Sequence, residues 1–424
     1  MRVLHAYNES RFGGGANNAP KATIAVSREH GLEVEVFTRS SKDLPRNLRG
    51  RLQAGTSAIY PPESVRQFDA LLASFKPDVV HIHEVFPLVS PWILPSCTRR
   101  GIPVVMTTVD YRLTCPVGTH LRDGLICDRC TGGREHWAVL KNCRNNLVES
   151  VTVALYNTIA RRSRLFSDHV NRFIAPSEFT RRWMIEKAGI PPARITAVSP
   201  MVEIPGLAVD PGAGRYVACA SRLSPEKGID TLIEAARLCG LPFCLSRNES
   251  SLVKAAVPSD IPVVVTRSRE ELDAFYRGAR MLVFPSVWFE TFGLVGAEAM
   301  SHGVPVIASR IGALSDLIDD GINGLLFEPG NPRDLALKVA RLWGDPDLCR
   351  QLGQAARAKS VSHWGPRSHF EALKSVYDAL CGGARGAVVA DVGPKGGPAP
   401  DHRESLRPTC IAQGRTAASR DAAA

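Results

Sequence analysis

A doubly wound parallel α/β chain in two halves is the fold class this sequence predicts. Three observations predict it: short β-branched runs alternate with longer amphipathic segments, the alternation restarts after Pro200, and 424 residues exceed what one hydrophobic core usually organises. Two domains of about 200 residues each leave room for a cleft between them.

In the first half "RVLHAY", "EVEVFT", "DVVHIH" and "PVVMTT" read as buried parallel strands, each followed by a helical pattern. After Pro200 the strands "RYVACASR", "PFCLSR", "IPVVVTR", "MLVFPS" and "PVIAS" alternate with helices such as "IDTLIEAARLCG" and "REELDAFYRGAR". The segment from Val198 to Gly214 is rich in Pro and Gly and has no periodicity, which places a boundary near residue 203. Domains are therefore expected over 1–203 and 204–381. In "GPRSHFEALKSVYDAL", Phe370, Leu373, Val376, Tyr377 and Leu380 fall near helical spacing and predict a final helix packed on the body. From Gly382 the chain turns to small residues, Gly, Pro and charges, so 382–424 is expected to be a disordered tail.

Composition excludes some classes. No window approaches the roughly 20 apolar residues of a membrane span, and the N-terminal "MRVLHAYNES" lacks the regions of a signal peptide. A cytoplasmic chain is the expectation. A net charge of +10 points to an anionic partner, whether nucleic acid, a lipid headgroup surface or a phosphorylated substrate. Eleven cysteines without an export signal favour thiols or metal ligands over a disulfide framework. Cys97, Cys219 and Cys244 read as small buried hydrophobes.

The densest chemistry lies in "VFPSVWFETFGLVGAEAM", Val283 to Met300, where Glu290 and Glu298 flank a Phe-Gly-Leu turn. In a parallel α/β sheet ligands bind beyond the carboxyl ends of strands, where the following helices aim their N-termini. "MLVFPS" is such a strand end. Glu290 then lies in the loop, Gly293 permits close backbone approach, and Glu298 sits inside a helix starting near Leu294. Two carboxylates there can accept hydrogen bonds from two hydroxyl-rich parts of one ligand while backbone N–H groups hold its phosphates. Taken alone, such a pair is more simply a helix-capping charge and a solvated one. Upstream, "SRLSPEKGIDTLIEA" also follows a strand and opens a helix, setting Arg222 and Lys227 either side of a Pro-containing turn. Two cations can stabilise a departing diphosphate without a metal.

The stretches "SRLSPEKG", "PSVWFETFGLVGAEAMSHGVPVIAS" and "DGINGLLFEPGN" resemble the donor-site motifs of family 4 retaining glycosyltransferases. The first half is similar too, with "GGG" at 13 to 15, "KPDVVHIHEVFPLVSP", "YRLTCPVGTHLRDGLICDRC" and "FIAPSEFTRR". The resemblance implies the GT-B fold, two Rossmann-like domains facing a central cleft, with the final helix crossing back to the first. It implies a retaining hexosyl transfer from a UDP- or GDP-linked sugar to a saccharide or lipid-linked acceptor, in bacterial surface polysaccharide or glycolipid assembly. By matching position, Arg222 and Lys227 would bind the donor diphosphate, Glu290 the donor sugar hydroxyls and Glu298 the ribose. Phe292, Gly293 and Leu294 would offer backbone contacts, while Gly14, Gly15 and His83 would face the acceptor. In the mechanism usually proposed for the family the leaving phosphate takes the acceptor proton, so no cofactor is required for catalysis.

The pattern departs from the family in places. "TTVDY" carries Val109 where a histidine is common, leaving Asp110 beside it as a candidate catalytic residue, with His81 and His83 of "HIHE" as candidates to replace the histidine. "CLSRNESS" replaces a Gly-Asp-Gly turn, and "GGGANNAPKA" lacks an acidic residue that often follows the glycines. A non-catalytic donor-binding descendant is therefore one alternative function. A zinc-stabilised nucleic-acid-binding protein is another, drawn from the basic charge and the cysteines. The paired carboxylates count against it, because they oppose a phosphate backbone, and no nucleic-acid partner is expected.

Two further features stand outside the donor site. Cys115, Cys127, Cys130 and Cys143 fall in one insertion near 115–143 with a C-x-x-C pair at its centre. That suits tetrahedral thiolate zinc, with free thiols, or His120 or His136 in place of one cysteine, as the other readings. Beyond it, Leu147, Val151, Leu155 and Ile159 form a helical apolar stripe ending in Arg161, Arg162 and Arg164. A core helix with a solvated basic end is the plainer reading. Peripheral attachment to an anionic bilayer is the sharper one, since cations near such a surface contribute about 1 kcal/mol each.

Overall fold

Parallel pairing of short apolar strands builds two six-stranded sheets. The computed structural model describes residues 1–10, 15–41, 59–249 and 255–382. The tail expected beyond Gly382 and the glycines Gly13 and Gly14 lie outside the described residues.

The first half contributes β1 (Arg2–Glu9), β2 (Glu33–Ser40), β3 (Val79–Glu84) and β4 (Val104–Thr107), then a small antiparallel hairpin of β5 (Leu121–Arg122) and β6 (Leu125–Ile126), then β7 (Arg172–Ala175) and β8 (Ile195–Ala197). Its sheet runs β2-β1-β3-β4-β7-β8. The second half contributes β9 (Tyr216–Ala220), β10 (Phe243–Asn248), β11 (Val263–Thr266), β12 (Ala279–Phe284), β13 (Val306–Ser309) and β14 (Gly324–Phe327), ordered β11-β10-β9-β12-β13-β14. In each sheet the order reverses beside the first strand of the half, and the crevice beyond the strand ends at that reversal is where this architecture binds ligands. The fold is α/β of the GT-B type, two Rossmann-like domains facing a cleft.

The inner strands are buried on both faces, as parallel sheets covered by helices require. Fully buried side chains such as Leu4, Ile82, Leu245 and Leu282 each contribute about 1.5–3 kcal/mol by leaving water. The last helix, Pro366–Cys381, leaves the second half and packs on the first. Its Phe370, Leu373, Val376 and Tyr377 bury against Val3, Val79, Val105 and Ile174. His369 on the same helix bonds the Ser199 carbonyl at 2.8 Å and the Thr23 hydroxyl at 3.2 Å.

The halves also touch directly. Tyr111 donates its hydroxyl to the Glu290 carbonyl at 3.3 Å, Thr180 donates to the Thr291 carbonyl at 3.0 Å, and Phe289 and Ala313 join the core of the first half. Arg182 closes an ion pair with Asp316 at 3.2 Å.

The helix Leu147–Arg162 corrects the core-helix reading of its stripe. Asn146 caps it by accepting from the Glu149 N–H, and Val153, Ala154, Tyr156 and Ala160 face inward. Leu147, Val148, Val151 and Leu155 are 58%, 62%, 37% and 45% exposed, with Leu140 nearby in sequence at 68%. On the inward face Tyr156 packs edge-on against Phe86 with ring centroids 5.0 Å apart and Asn157 donates to the Arg112 carbonyl at 2.5 Å, which leaves Leu147, Val151 and Leu155 of the stripe outside and Ile159 half-buried. Among the described residues no helix is long and apolar enough to cross a membrane.

Candidate active site

The turn after β9 and the loop after β12 meet at the reversal point of the second sheet. Gly228 ends the first of these with φ +69°, and a Cβ there would collide with the Pro285 carbonyl. Val287 N–H bonds the Glu226 carbonyl at 3.1 Å and ties the two loops together. This close approach brings Lys227 Nζ to 2.6 Å from Glu290 Oε1. The same oxygen accepts from Ser286 Oγ at 2.6 Å and Trp288 Nε1 at 2.8 Å. Burial alone would push the Glu290 carboxyl up, but the Lys227 charge and these three hydrogen bonds hold it below the ordinary value.

Gly293 follows with φ +105°, a conformation side chains rarely adopt, and a Cβ would come within 2.8 Å of Leu314 Cδ2. The helix Leu294–Ser301 begins at the next residue, so the N–H groups of its first turn open toward the cleft. Phe292 is buried against Trp364 with ring centroids 5.6 Å apart. Glu298, inside this helix, accepts from Arg269 Nη1 and the Tyr276 hydroxyl, each at 2.9 Å. Burial raises its carboxyl despite both partners.

A cavity of ≈ 730 Å³ runs between the halves and is lined by Arg222, Lys227, Glu290, Gly293, Glu298 and His83 among others. Arg222 is half exposed and pairs with Glu226 at 3.3 Å. Arg247, Arg267 and Arg269 also reach this lining. The structure therefore brings Arg222, Lys227, Glu290, Phe292, Gly293, Leu294 and Glu298 into one cleft in which each carboxylate is bonded to a cation, Glu290 to Lys227 and Glu298 to Arg269. Glu290 Oε1 is filled by its three donors, so Glu290 Oε2 and the second lone pair on each Glu298 oxygen are what remain to accept from ligand hydroxyls.

Across the cleft, His83 of β3 bonds His5 of β1 at 2.9 Å, and His81 bonds the Tyr377 and Thr107 hydroxyls at 2.6 and 2.8 Å. Burial pushes the His5 imidazole down to about 3 and holds His81 and His83 well below the usual histidine range, so the group is neutral. Gly15 opens the helix Gly15–Glu29 on this side. Asp110 stands elsewhere: it lines a second cavity of ≈ 200 Å³ with Glu84, Arg112 and Asn157, and pairs with Arg112 at 2.9 Å. Val109 lines both cavities. Cys97 and Cys219 are buried as expected, but Cys244 is only partly so. Cys115, Cys127, Cys130 and Cys143 are partly buried free thiols around the β5–β6 hairpin.

Sequence reasoning missed Arg269, Tyr276 and His5. The first two stand seven apart in "REELDAFY", which places them on one helix face, and that spacing was the available signal. His5 lies alone in an apolar strand and carried none.

Two family models match in tandem. Residues 14–200 match "Glycosyl transferase 4-like domain", and residues 214–345 match "Glycosyl transferases group 1". The chain belongs to the group 1, family 4 glycosyltransferases.

An uncharacterized glycosyltransferase of Methanocaldococcus jannaschii is 37% identical over 31% of this chain and 38% of its own length. A D-inositol 3-phosphate glycosyltransferase of Corynebacterium efficiens is 27% identical over 81% of this chain and 85% of its own. The match spans 38%, 26% and 44% of the length of three relatives, the Methanocaldococcus protein and two D-inositol 3-phosphate glycosyltransferases. Among solved structures, sucrose-phosphate synthase of Thermosynechococcus elongatus superposes with a TM-score of 0.67 at 16% identity, covering 90% of this chain and 99% of that one. Anabaena HepE in complex with UDP-glucose superposes at 0.62 with 17% identity, covering 89% and 100%. At these identities the structural likeness establishes the fold.

Proposed function

We propose that this chain transfers a hexosyl group from a UDP- or GDP-linked donor to a saccharide or lipid-linked acceptor, with retention at the anomeric carbon, in surface polysaccharide or glycolipid assembly. The observation that carries the reading is the convergence of Arg222, Lys227, Glu290 and Glu298 on one cleft at the sheet's reversal point.

In this reading Glu298, already oriented by Arg269 and Tyr276, accepts the ribose hydroxyls, and the first turn of Leu294–Ser301 faces the diphosphate. Glu290 accepts from the donor sugar hydroxyls. The bond between the anomeric carbon and the diphosphate oxygen breaks, and Arg222 and Lys227 stabilise the charge that gathers on the leaving group. The acceptor oxygen bonds the same face and gives its proton to a leaving phosphate oxygen. The UDP-glucose complex of HepE supports a uridine donor. The names of several relatives make an inositol phosphate one acceptor to include.

The exposed stripe of Leu147–Arg162, whose last turn carries Arg161 and Arg162 with Arg164 just beyond, supports a peripheral seat on an anionic bilayer that would present a lipid-linked acceptor.

The test is incubation with UDP- and GDP-sugars and an acceptor panel containing inositol 3-phosphate and polyprenyl-linked saccharides, with the product anomer read by NMR. An α-linked product from an α-linked donor, lost in Glu290→Gln, is expected. A β-linked product would overturn the retaining mechanism. Donor binding without transfer to any acceptor would favour the binding-only descendant and point to Val109.

A further inference from the structure

The cavity of ≈ 200 Å³ in the first half is lined in part by the inward face of the helix Leu147–Arg162. His83, Thr107 and Val109 line it and the donor cleft alike, so the two spaces meet at the carboxyl ends of β3 and β4. Val109, where the family commonly carries a histidine, puts an apolar side chain at that junction. The lining also includes Arg161, Arg164 and Ser167, which are exposed and mark an end at the surface. A molecule held there reaches from the surface to the donor.

The wall carries two kinds of group. Beside Val109 and His83 in the chain, Asp110 and Glu84 pair with the same Arg112 Nε at 2.9 and 3.6 Å. Arg112 is itself held over the Phe86 ring at 4.4 Å. Carboxylates fixed in this way keep lone pairs for hydroxyl groups. Leu113, Ala160, Phe166, Phe173 and Ile190 add an apolar stretch. Apolar side chains next to fixed carboxylates suit a sugar ring, which presents C–H faces and hydroxyl edges. The volume exceeds the roughly 150 Å³ that holds benzene and falls short of the roughly 300–1,000 Å³ of a larger ligand's pocket. It takes one ring.

The surface end is basic. Arg161 bonds Glu135 through Nε at 2.7 Å and Nη2 at 3.2 Å, and Arg164 bonds Asp168 through Nε at 2.8 Å. Arg194, also in the lining, bonds the Val170 carbonyl through Nη2 and, among the described residues, pairs with no carboxylate. These bonds orient each guanidinium and leave other N–H groups of its fork for an anion, and phosphate is an anion that the fork matches. An empty packing void is apolar throughout, whereas this cavity has charged groups at both ends.

We propose that this cavity binds the sugar ring of a glycosyl phosphate as the acceptor, with its hydroxyls on Glu84 and Asp110 and its phosphate at Arg161, Arg164 and Arg194. The reacting hydroxyl, on the ring edge opposite the phosphate, passes Val109 into the donor cleft. That the bound sugar is the acceptor rests on the transferase reading above; that the cavity binds it does not. A soluble sugar phosphate and the head of a lipid-linked sugar share this chemistry.

The test is calorimetric titration of the full chain with the glycosyl phosphates of glucose, galactose, mannose and N-acetylglucosamine, with the parent sugars, and with the farnesyl phosphodiesters of the same sugars. Expected is binding of at least one sugar phosphate, about tenfold or more tighter than its parent sugar. Arg164→Gln and Arg194→Gln should each erase most of that ratio, and Ala160→Phe, which fills the cavity, should abolish binding. All three variants should keep the thermal shift given by a nucleotide sugar. Equal affinity for the free and farnesyl forms assigns a soluble sugar phosphate, and a preference for the farnesyl form assigns a lipid-linked one. Sugar phosphate binding without any nucleotide-sugar shift would keep the cavity site and remove the transferase reading. No binding of any phosphorylated form, an unchanged ratio in both arginine variants, or full binding in folded Ala160→Phe would each overturn the proposal. The arginine variants decide it even where Ala160→Phe does not fold.

Discussion

Lys227 Nζ lies 2.6 Å from Glu290 Oε1, so the cation after β9 and the carboxylate after β12 form one buried ion pair at the floor of the cleft. A cation held this way is positioned before any ligand arrives, because its partner is itself fixed by Ser286 and Trp288. Truncating one member leaves the other buried and unpaired. Lys227→Met and Glu290→Gln are each expected to lower stability by about 3–5 kcal/mol, and the double variant to recover much of it. All three should lose transfer by about 10²–10³-fold in kcat. Urea unfolding and steady-state kinetics on the same three proteins separate the two effects.

Glu84 carries a pH prediction. Burial first, then the Asp110 charge, raise its carboxyl to about 7, with Arg112 opposing. The folded state therefore holds this proton more tightly than the unfolded chain does. Its stabilising contribution is complete below the ordinary value of 4.5 and is lost as pH rises through about 7. Glu84→Gln should flatten the fall of the urea midpoint across that window. Glu290 has the opposite sign: its carboxyl is held down, so its contribution is present above the ordinary value and disappears on acidification.

The two glycines that shape the donor loops should tolerate no side chain. Gly228→Ala meets the Pro285 carbonyl, and Gly293→Ala meets Leu314 at a φ of +105°. Each is expected to lower the melting temperature, because the clash and the strain at positive φ outweigh the roughly 1 kcal/mol that Gly→Ala gains by restricting the unfolded chain. Gly31→Ala, at φ +81° with nothing within 4 Å of its Cβ, is the control for conformational strain alone.

The exposed aliphatic stripe predicts lipid binding. Flotation with anionic vesicles should recover the wild type and fail for the triple variant Leu147→Ser, Val151→Ser, Leu155→Ser. These side chains are solvent-facing, so melting temperatures should match. Equal flotation of both proteins would show that the stripe does not bind lipid.

Much of this was legible in the sequence because burial on both faces writes inner strands as short runs rich in apolar residues. β1, β3, β9 and β12 are such runs. β4, β11 and β13 are only four residues long but show adjacent β-branched residues, whereas β7 (RFIA) and β14 (GLLF), equally short, hold one such residue and none, and β8 (ITA) is three residues in all. At the site, Glu290, Gly293 and Glu298 were readable because a strand end, a glycine and a helix start fix their places. The Lys227–Glu290 pair was not, since it depends on two loops meeting across the sheet, a distance of 63 residues in the chain. The stripe of Leu147–Arg162 was read with the correct spacing and the wrong facing. Helical periodicity shows that a face exists, and only packing shows which face is covered.

The most direct test of the central claim, that the cleft between the halves is a nucleotide-sugar site, is a thermal-shift measurement of the full chain against a panel of UDP-, GDP- and ADP-sugars. Selective binding raises stability by about 2.7 kcal/mol at a ligand concentration of 100 times Kd. A nucleotide-sugar site gives an upward shift with one nucleotide class that disappears in Glu298→Ala while that variant remains folded. No shift with any donor, from folded wild-type protein, would contradict it.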